Sequence, residues 1–421
     1  MKIKHIISII AVMLFLTKPV LSQVATDPFE LDEIVLSIPF SQTLGKSVIK
    51  VDKINMGDIN PILKQYISKS LSKLPGVSVI TTGPNIAKPS VRGLSFNRVV
   101  VYNQGVRLEN QQWGEEHGIG ISSSGVESIE VIKGPLYVLY GSDAMGGVLY
   151  VEPEKFNTSN GLAIDYTGVY NSNYNGVTNN LGIKGSSGKF SFNLRADMID
   201  NDNFSTPDGE IENTWFEQNE LKADLQYSSD KFTSELRFSR VDSDLGIPHM
   251  DEGHDDHDDH MDHDDHDDHE GHGDDHYQEL KHTTLTWKNS FDLGNNHVLN
   301  VTLGQQLNER KEFGGHGEEE HDDHDDHDDH EEHGEEDHDD HMDHDDHDDH
   351  EGHEEGEAEL DMELLTNTLD ISLVLPQSED LNLTIGTSLL SQTNKNFGHE
   401  TLIPDAEMND FGLYALSLIH I

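Results

Sequence analysis

The 421-residue chain contains no cysteine. That excludes a disulfide framework and any thiolate metal site, and it leaves the protein free to work in an oxidising compartment. No apolar run is long enough to cross a bilayer as a helix, which takes about 20 residues. Basic residues are scarce as well: 27 Lys and Arg stand against 81 Asp and Glu, a formal net charge of −54. Phosphate backbones repel such a balance, so nucleic acid is not expected as a partner. Two segments, residues 249–276 and 316–359, have no Lys or Arg, yet they hold 21 of the 27 His and 40 of the acidic residues. Without those carboxylates the formal charge would be −14, that of an ordinary acidic protein.

Within these segments the string HDDHMDHDDHDDHEGH occurs twice without a change, at residues 257–272 and 338–353, so one copy was duplicated from the other. A run of His and Asp cannot bury enough apolar surface to offset the entropy of ordering its backbone, and it is expected to stay solvated. Its imidazoles and carboxylates are nevertheless the donors that zinc and similar divalent ions accept. The repeated ligands are His257, His260, His263, His266, His269 and His272, then His338, His341, His344, His347, His350 and His353. A His every three residues fixes no single tetrahedron, so many arrangements compete and metal is held loosely. That suits capture better than storage. A plain acidic spacer is the alternative reading.

Residues 1–22 have the form of a secretory signal: Lys2 and Lys4, an apolar run over residues 6–16, then Val20, Leu21 and Ser22. A polar lead follows, and then Asp32, Glu33, Ile34, Val35 and Leu36, an acidic pair before a β-favouring triplet. Such a strand could pair with the edge of another protein's sheet or open this protein's own.

Residues 46–155 have the rhythm of a small α+β domain. Short strands are predicted at 48–51, 77–80, 99–102 and 126–132, and a helix over 54–74 from the spacing of Ile59, Ile62, Leu63, Tyr66, Ile67, Leu71 and Leu74, stopped by Pro75-Gly76. The ordered motifs LPGV, VRGL, NRVVVYNQGVR, VESIEVIKGP and LYGSDAMGGV resemble the plug domain of the TonB-dependent outer-membrane receptors. The resemblance implies a plug inside a 22-stranded transmembrane barrel and import of a scarce nutrient. It also puts residues 32–36 where the family carries the TonB box, with the inner-membrane TonB complex as partner. No catalysis is implied, and no cofactor as catalyst.

The rest of the chain carries its own barrel signal, segments of about ten residues alternating apolar outward and polar inward. Phe190, Phe192, Leu194, Ala196 and Met198 are expected to face lipid, with Ser191, Asn193, Arg195 and Asp197 facing the lumen. The same alternation recurs at Leu221–Tyr227, Phe232–Phe238, Leu299–Leu303 and Leu381–Ile385, for about ten strands. Short links near 186–188, 228–230, 293–296 and 376–379 interleave with longer ones near 171–176, 201–215, 242–276, 312–358 and 397–409, which puts both His/Asp tracts at one end of the barrel.

The resulting organisation is a signal peptide at 1–22, a TonB box and linker at 23–45, a plug at 46–155, and the N-terminal part of a β-barrel at 156–421. Ten strands do not close a barrel of the family's size and Ile421 is not the aromatic terminus of closed members, so the chain is expected to be C-terminally truncated and inactive as written. The expected location is the Gram-negative outer membrane, with outer-membrane lipid as a partner.

In the plug, Glu115, Glu116 and His117 adjoin, and they are expected to supply part of an ordered metal site near the apex. The expected cargo is a divalent transition metal, zinc foremost; copper, nickel and cobalt stay open. The zinc-type receptors are similar in pairing His-rich extracellular loops with a plug His. Two other readings also stay open. One is a siderophore, haem or cobalamin receptor with acidic solvating loops. The other is a surface metal buffer that uses the barrel as an anchor.

Overall fold

A computed structural model of the chain describes residues 34–35, 42–43, 51–60, 67–81, 86–109, 117–134, 139–157, 159–248, 276–314, 358–376 and 381–419. It comprises an α+β plug followed by one antiparallel sheet of ten long strands. Ahead of the plug, β1 (Ile34–Val35) pairs antiparallel with β2 (Gln42–Thr43).

The plug strands are β3 (Val51–Asn55), β4 (Val77–Thr81), β5 (Ala87–Val91), β6 (Val99–Asn103), β7 (Val106–Leu108), β8 (Val126–Ile132) and β9 (Gly147–Pro153), with one short helix α1 (Ile67–Leu71). Five of them form a sheet in the order β3-β8-β9-β6-β7, in which β6 and β9 are parallel and the other pairs antiparallel. Strands β4 and β5 form a separate ribbon. Gln104 and Gly105, both at positive φ, make the two-residue turn between β6 and β7, the geometry that matches strand twist.

The helix predicted over 54–74 needs correcting at its start, while Ile62, Leu63 and Tyr66 lie outside the described residues. Ile54 lies in β3 opposite Ile129, Met56–Asp58 is a 3-10 turn, and the described helix covers only Ile67–Leu71. Of the strand predicted at 48–51, Val51 lies in β3, which continues to Asn55, and residues 48–50 lie outside the described residues. The cause is a distant partner that no local pattern shows: β8 offers Ile54 a hydrogen-bonded neighbour in Ile129, so Val51–Asn55 pairs as a strand. Ile59, Ile67, Leu71 and Leu74 are all buried in the plug core beside Ile129 and Leu149, so the apolar spacing marked burial more faithfully than it marked helix.

The wall strands are β10 (Gly161–Asn171), β11 (Gly176–Ser187), β12 (Phe190–Asn201), β15 (Phe216–Ser229), β16 (Phe232–Gly246), β17 (Tyr277–Gly294), β18 (His297–Phe313), β19 (Leu360–Pro376), β20 (Leu381–Asn396) and β21 (Ala406–Ile419). A small ribbon, β13 (Phe204–Thr206) and β14 (Gly209–Ile211), lies between β12 and β15. The ten strands follow one another in the sheet in chain order, and β10 and β21 are its two edges. Residues 188–189, 230–231, 295–296 and 377–380 join strands at one end, and 172–175, 202–215, 247–276, 314–359 and 397–405 at the other.

Side chains alternate as a lipid-facing wall requires. Phe190, Leu194 and Met198 are exposed, while Asn193, Arg195 and Asp197 between them are buried against the plug. Leu221, Leu225, Leu236, Leu285, Trp287, Leu303 and Leu389 continue the apolar outer surface. Phe190, Tyr227, Phe232 and Phe291 form a chain of ring contacts near the short links, and Tyr277 stacks on Phe313 near the long ones. Aromatic residues at both ends of an apolar band are the pattern of a transmembrane barrel.

Several contacts seat the plug on the wall, two of them apolar clusters. Val100, Ile132 and Val148 pack with Val374 of β19, and Ile86 packs with Ile199, Phe216 and Leu245. Another is polar: Glu154, just past β9, pairs with Arg195 at 2.9 Å and with Lys184, and Arg195 also reaches Asp165 at 2.9 Å. The segment leaving the plug is therefore fastened to β10, β11 and β12.

Candidate functional site

The segment bearing His117 runs beside β5, where Ile119 N–H donates to the Ala87 carbonyl at 3.0 Å. Gly118 permits this approach: a Cβ there would stand 3.0 Å from the Ala87 nitrogen, so a larger residue would push the strand away. The imidazole of His117 is thereby held inward with no exposed surface. Its Nε2 lies 2.9 Å from Oε1 of Glu312, the penultimate residue of β18.

Glu312 stands at the end of the wall from which the 247–276 and 314–359 connections leave. Its register neighbours are Gln278 on β17 and Leu360 on β19. Two positions earlier on β18, Arg310 points to the same face. Its Nη1 donates to Glu312 Oε1 at 3.2 Å and to Gln278 Oε1 at 2.9 Å. Buried Leu360, Met362 and Leu364 make an apolar flank along β19. The setting is one imidazole, one carboxylate, one guanidinium and one amide, largely shielded from water.

Chemically the pair has two states. With hydrogen on Nε2, the imidazole donates to the carboxylate. With Nε2 bare, both atoms present lone pairs to one point, and a cation can bridge them. Zinc takes four ligands as a rule, so these two donors are half of a site. Among the described residues no group of three or more His, Asp or Glu converges to hold a metal ion.

Of the residues singled out in the sequence, His117 is brought to the wall, while Glu115 and Glu116 lie outside the described residues. His257 through His272 and His338 through His353 lie outside them too, in the connections between β16 and β17 and between β18 and β19. Ile34 and Val35 form β1; Asp32, Glu33 and Leu36 are not among the described residues. Glu312, Arg310 and Gln278 were missed in the sequence reading. The signal that could have found them is strand parity: even-numbered positions of β17 and β18 face inward, and 278, 310 and 312 are the inward positions nearest the two tracts.

Elsewhere the plug face turned toward the wall is held by charge and aromatic contacts within the plug itself. Arg107 pairs with Asp143 at 2.7 Å and with Glu109. Burial would raise the Asp143 carboxyl, but the Arg107 guanidinium outweighs it and holds that group below the usual carboxylate range. Tyr102, Tyr140 and Tyr150 form a ring cluster, and burial pushes their phenols up. They line a cavity of about 490 Å³ toward β19–β21, together with Lys288 and Asp370.

Residues 44–148 match the TonB-dependent Receptor Plug Domain family. The chain is similar to the vitamin B12 transporter BtuB of Photobacterium profundum, 33% identical over 119 residues that make up 28% of this chain and 20% of that protein. It is also similar to the heme/hemopexin utilization protein C of Haemophilus influenzae, 42% identical over 84 residues, or 20% of this chain and 12% of that protein. The matches thus span a fifth or less of these relatives' length. Among solved structures, the FrpB iron transporter of Neisseria meningitidis superposes with a TM-score of 0.62 at 11% identity, covering 88% of this chain and 56% of that one. That likeness shows the fold: a plug with part of a receptor-type barrel wall.

Proposed function

We propose that this chain, which joins a TonB-dependent receptor plug to ten strands of barrel wall, belongs to an outer-membrane importer of a divalent transition metal, zinc foremost. One observation carries the reading. The plug imidazole His117 and the wall carboxylate Glu312 lie 2.9 Å apart at the end of the sheet that bears both tract-containing connections.

The mechanism follows from the donors. Tract His and Asp collect zinc by fast, weak, multivalent exchange and raise its concentration over the lumen. The ion passes to His117 and Glu312, with Glu115 and Glu116, next to His117 in sequence, as further carboxylates. The TonB complex engages residues 32–36 by strand addition, and the pull remodels the plug so that the ion leaves on the periplasmic side. Within this reading the tract end is extracellular and the apolar outer band is embedded in outer-membrane lipid.

A second reading draws on the relatives' names, which speak of vitamin B12 and heme, and would make the cargo a corrinoid, haem or siderophore. It leaves the duplicated His/Asp string and the buried imidazole–carboxylate contact without a task. The deciding experiment is zinc accumulation by zinc-limited cells carrying the full-length receptor, its His117→Ala variant, and a version lacking both tracts. Reduced accumulation in the variants supports the reading. Accumulation unchanged in both would overturn it.

A further inference from the structure

The geometry points to Arg310 as the residue that keeps the cargo site exchangeable: a built-in cation that occupies Glu312 when the metal is absent and pushes the metal off when it is present. This rests on the reading of His117 and Glu312 as the cargo site.

Three features carry it. Arg310 is buried, with a side chain only 1% exposed, so its charge acts with little screening by water. It shares an atom with the imidazole: Glu312 Oε1 takes a contact from His117 at 2.9 Å and one from Arg310 Nη1 at 3.2 Å. And Arg310 has somewhere else to stay, because the same Nη1 donates to Gln278 Oε1 at 2.9 Å. Glu312 and Arg310 cancel in charge, so a divalent ion arriving at this carboxylate meets a neutral pair and leaves it doubly positive.

The consequence is a cycle. An incoming ion takes Oε1 and the bare Nε2 of His117, and the guanidinium gives up Glu312 while keeping Gln278. The ion on Glu312 and the guanidinium still held at Gln278 then stand as neighbouring cations and repel each other, so the bound state is weakened in proportion to their charges. When the plug carries His117 away, Arg310 re-forms its contact with Glu312 and blocks the ion's return. An importer needs this: a site that binds too well cannot let go.

Removing the charge should therefore tighten binding, the reverse of what loss of a purely structural arginine would do. The test measures zinc affinity of the purified full-length receptor against a chromophoric chelator strong enough to strip the tracts, alongside uptake kinetics in cells. Arg310→Gln is expected to bind zinc about tenfold tighter or more, with a lower KM and a lower maximal uptake rate. Arg310→Lys, which keeps the charge, is expected to stay near the parent in both. The inference is overturned if Arg310→Gln binds zinc no tighter than the parent, or if Arg310→Lys tightens as much as Arg310→Gln. His117→Ala separates this from failure of the site itself: an unchanged parent affinity in that variant would remove the cargo site and not only the role of Arg310.

Discussion

Nε2 of His117 and Oε1 of Glu312 meet at 2.9 Å across 195 positions of sequence, one on the plug and the other on the barrel wall. The contact makes the plug's position a condition for the site: donors brought together by docking are separated when the plug moves. In the proposed import cycle, binding and release are coupled to one displacement.

Replacing His117 by Ala is expected to lower zinc affinity about 10- to 100-fold, the scale seen when an ordered partner is lost from a metal site. The fold should survive, since Glu312 keeps its contact with Arg310. Titration of the full-length receptor with zinc checks this; an affinity equal to the parent's counts against the site.

Deletion of residues 249–276 and 316–359 is expected to remove most of the weak zinc equivalents that the receptor binds. Uptake should fall when zinc is scarce and recover when it is abundant, because the tracts act by raising local concentration. Capture should also weaken as pH drops through about 6.5, the ordinary imidazole value, since a protonated ring has no lone pair for metal. Equilibrium dialysis from pH 8 to pH 5 reads both effects. Retention of the full stoichiometry at pH 5 would point to the carboxylates alone.

At Ile34, proline is expected to abolish energised uptake while leaving zinc binding at the cell surface intact. It removes a backbone donor from β1 and disfavours the extended pairing by which a partner strand would add. Parallel measurement of surface-bound and internalised zinc separates the two steps.

Arg195→Ala is expected to loosen the plug's exit. It leaves Glu154 and the half-exposed Asp165 without their shared guanidinium. Removing one partner from a fully buried ion pair costs about 3–5 kcal/mol; with Asp165 open to water and Lys184 still reaching Glu154, the loss here falls below that range. Limited proteolysis around residues 155–160 should become faster, with zinc binding at the far end of the wall little changed. Equal cleavage rates would mean that the apolar contacts alone hold the exit.

How far the sequence could be read depended on whether a residue's partner was near it in the chain. The alternation from Phe190 to Met198 was legible because lipid on one side and a wet lumen on the other impose a period of two. Ile199 breaks the polar-inward rule. It faces inward and is buried against Ile86 of the plug, a contact that no local pattern announces. The apolar spacing was legible as core at Ile59, Ile67, Leu71 and Leu74 and misleading as helix at Ile54, which found a strand partner in Ile129. Strand parity alone could have turned Glu312 inward. Its meeting with His117 depends on how the plug is seated, and that is set by contacts as distant as Val148 with Val374.

The first and last strands of the plug in chain order are held unequally. Strand β3 is an edge with a single hydrogen-bonded neighbour, β8, reinforced by Lys53 on Glu130 and Lys133 on Asp52. Beyond β9 the chain is riveted to three wall strands through Glu154. In the proposed cycle, tension entering from the N-terminal side works on the single β3–β8 seam first while the segment past β9 stays tied to the wall, so the plug is unseated at one end and held at the other.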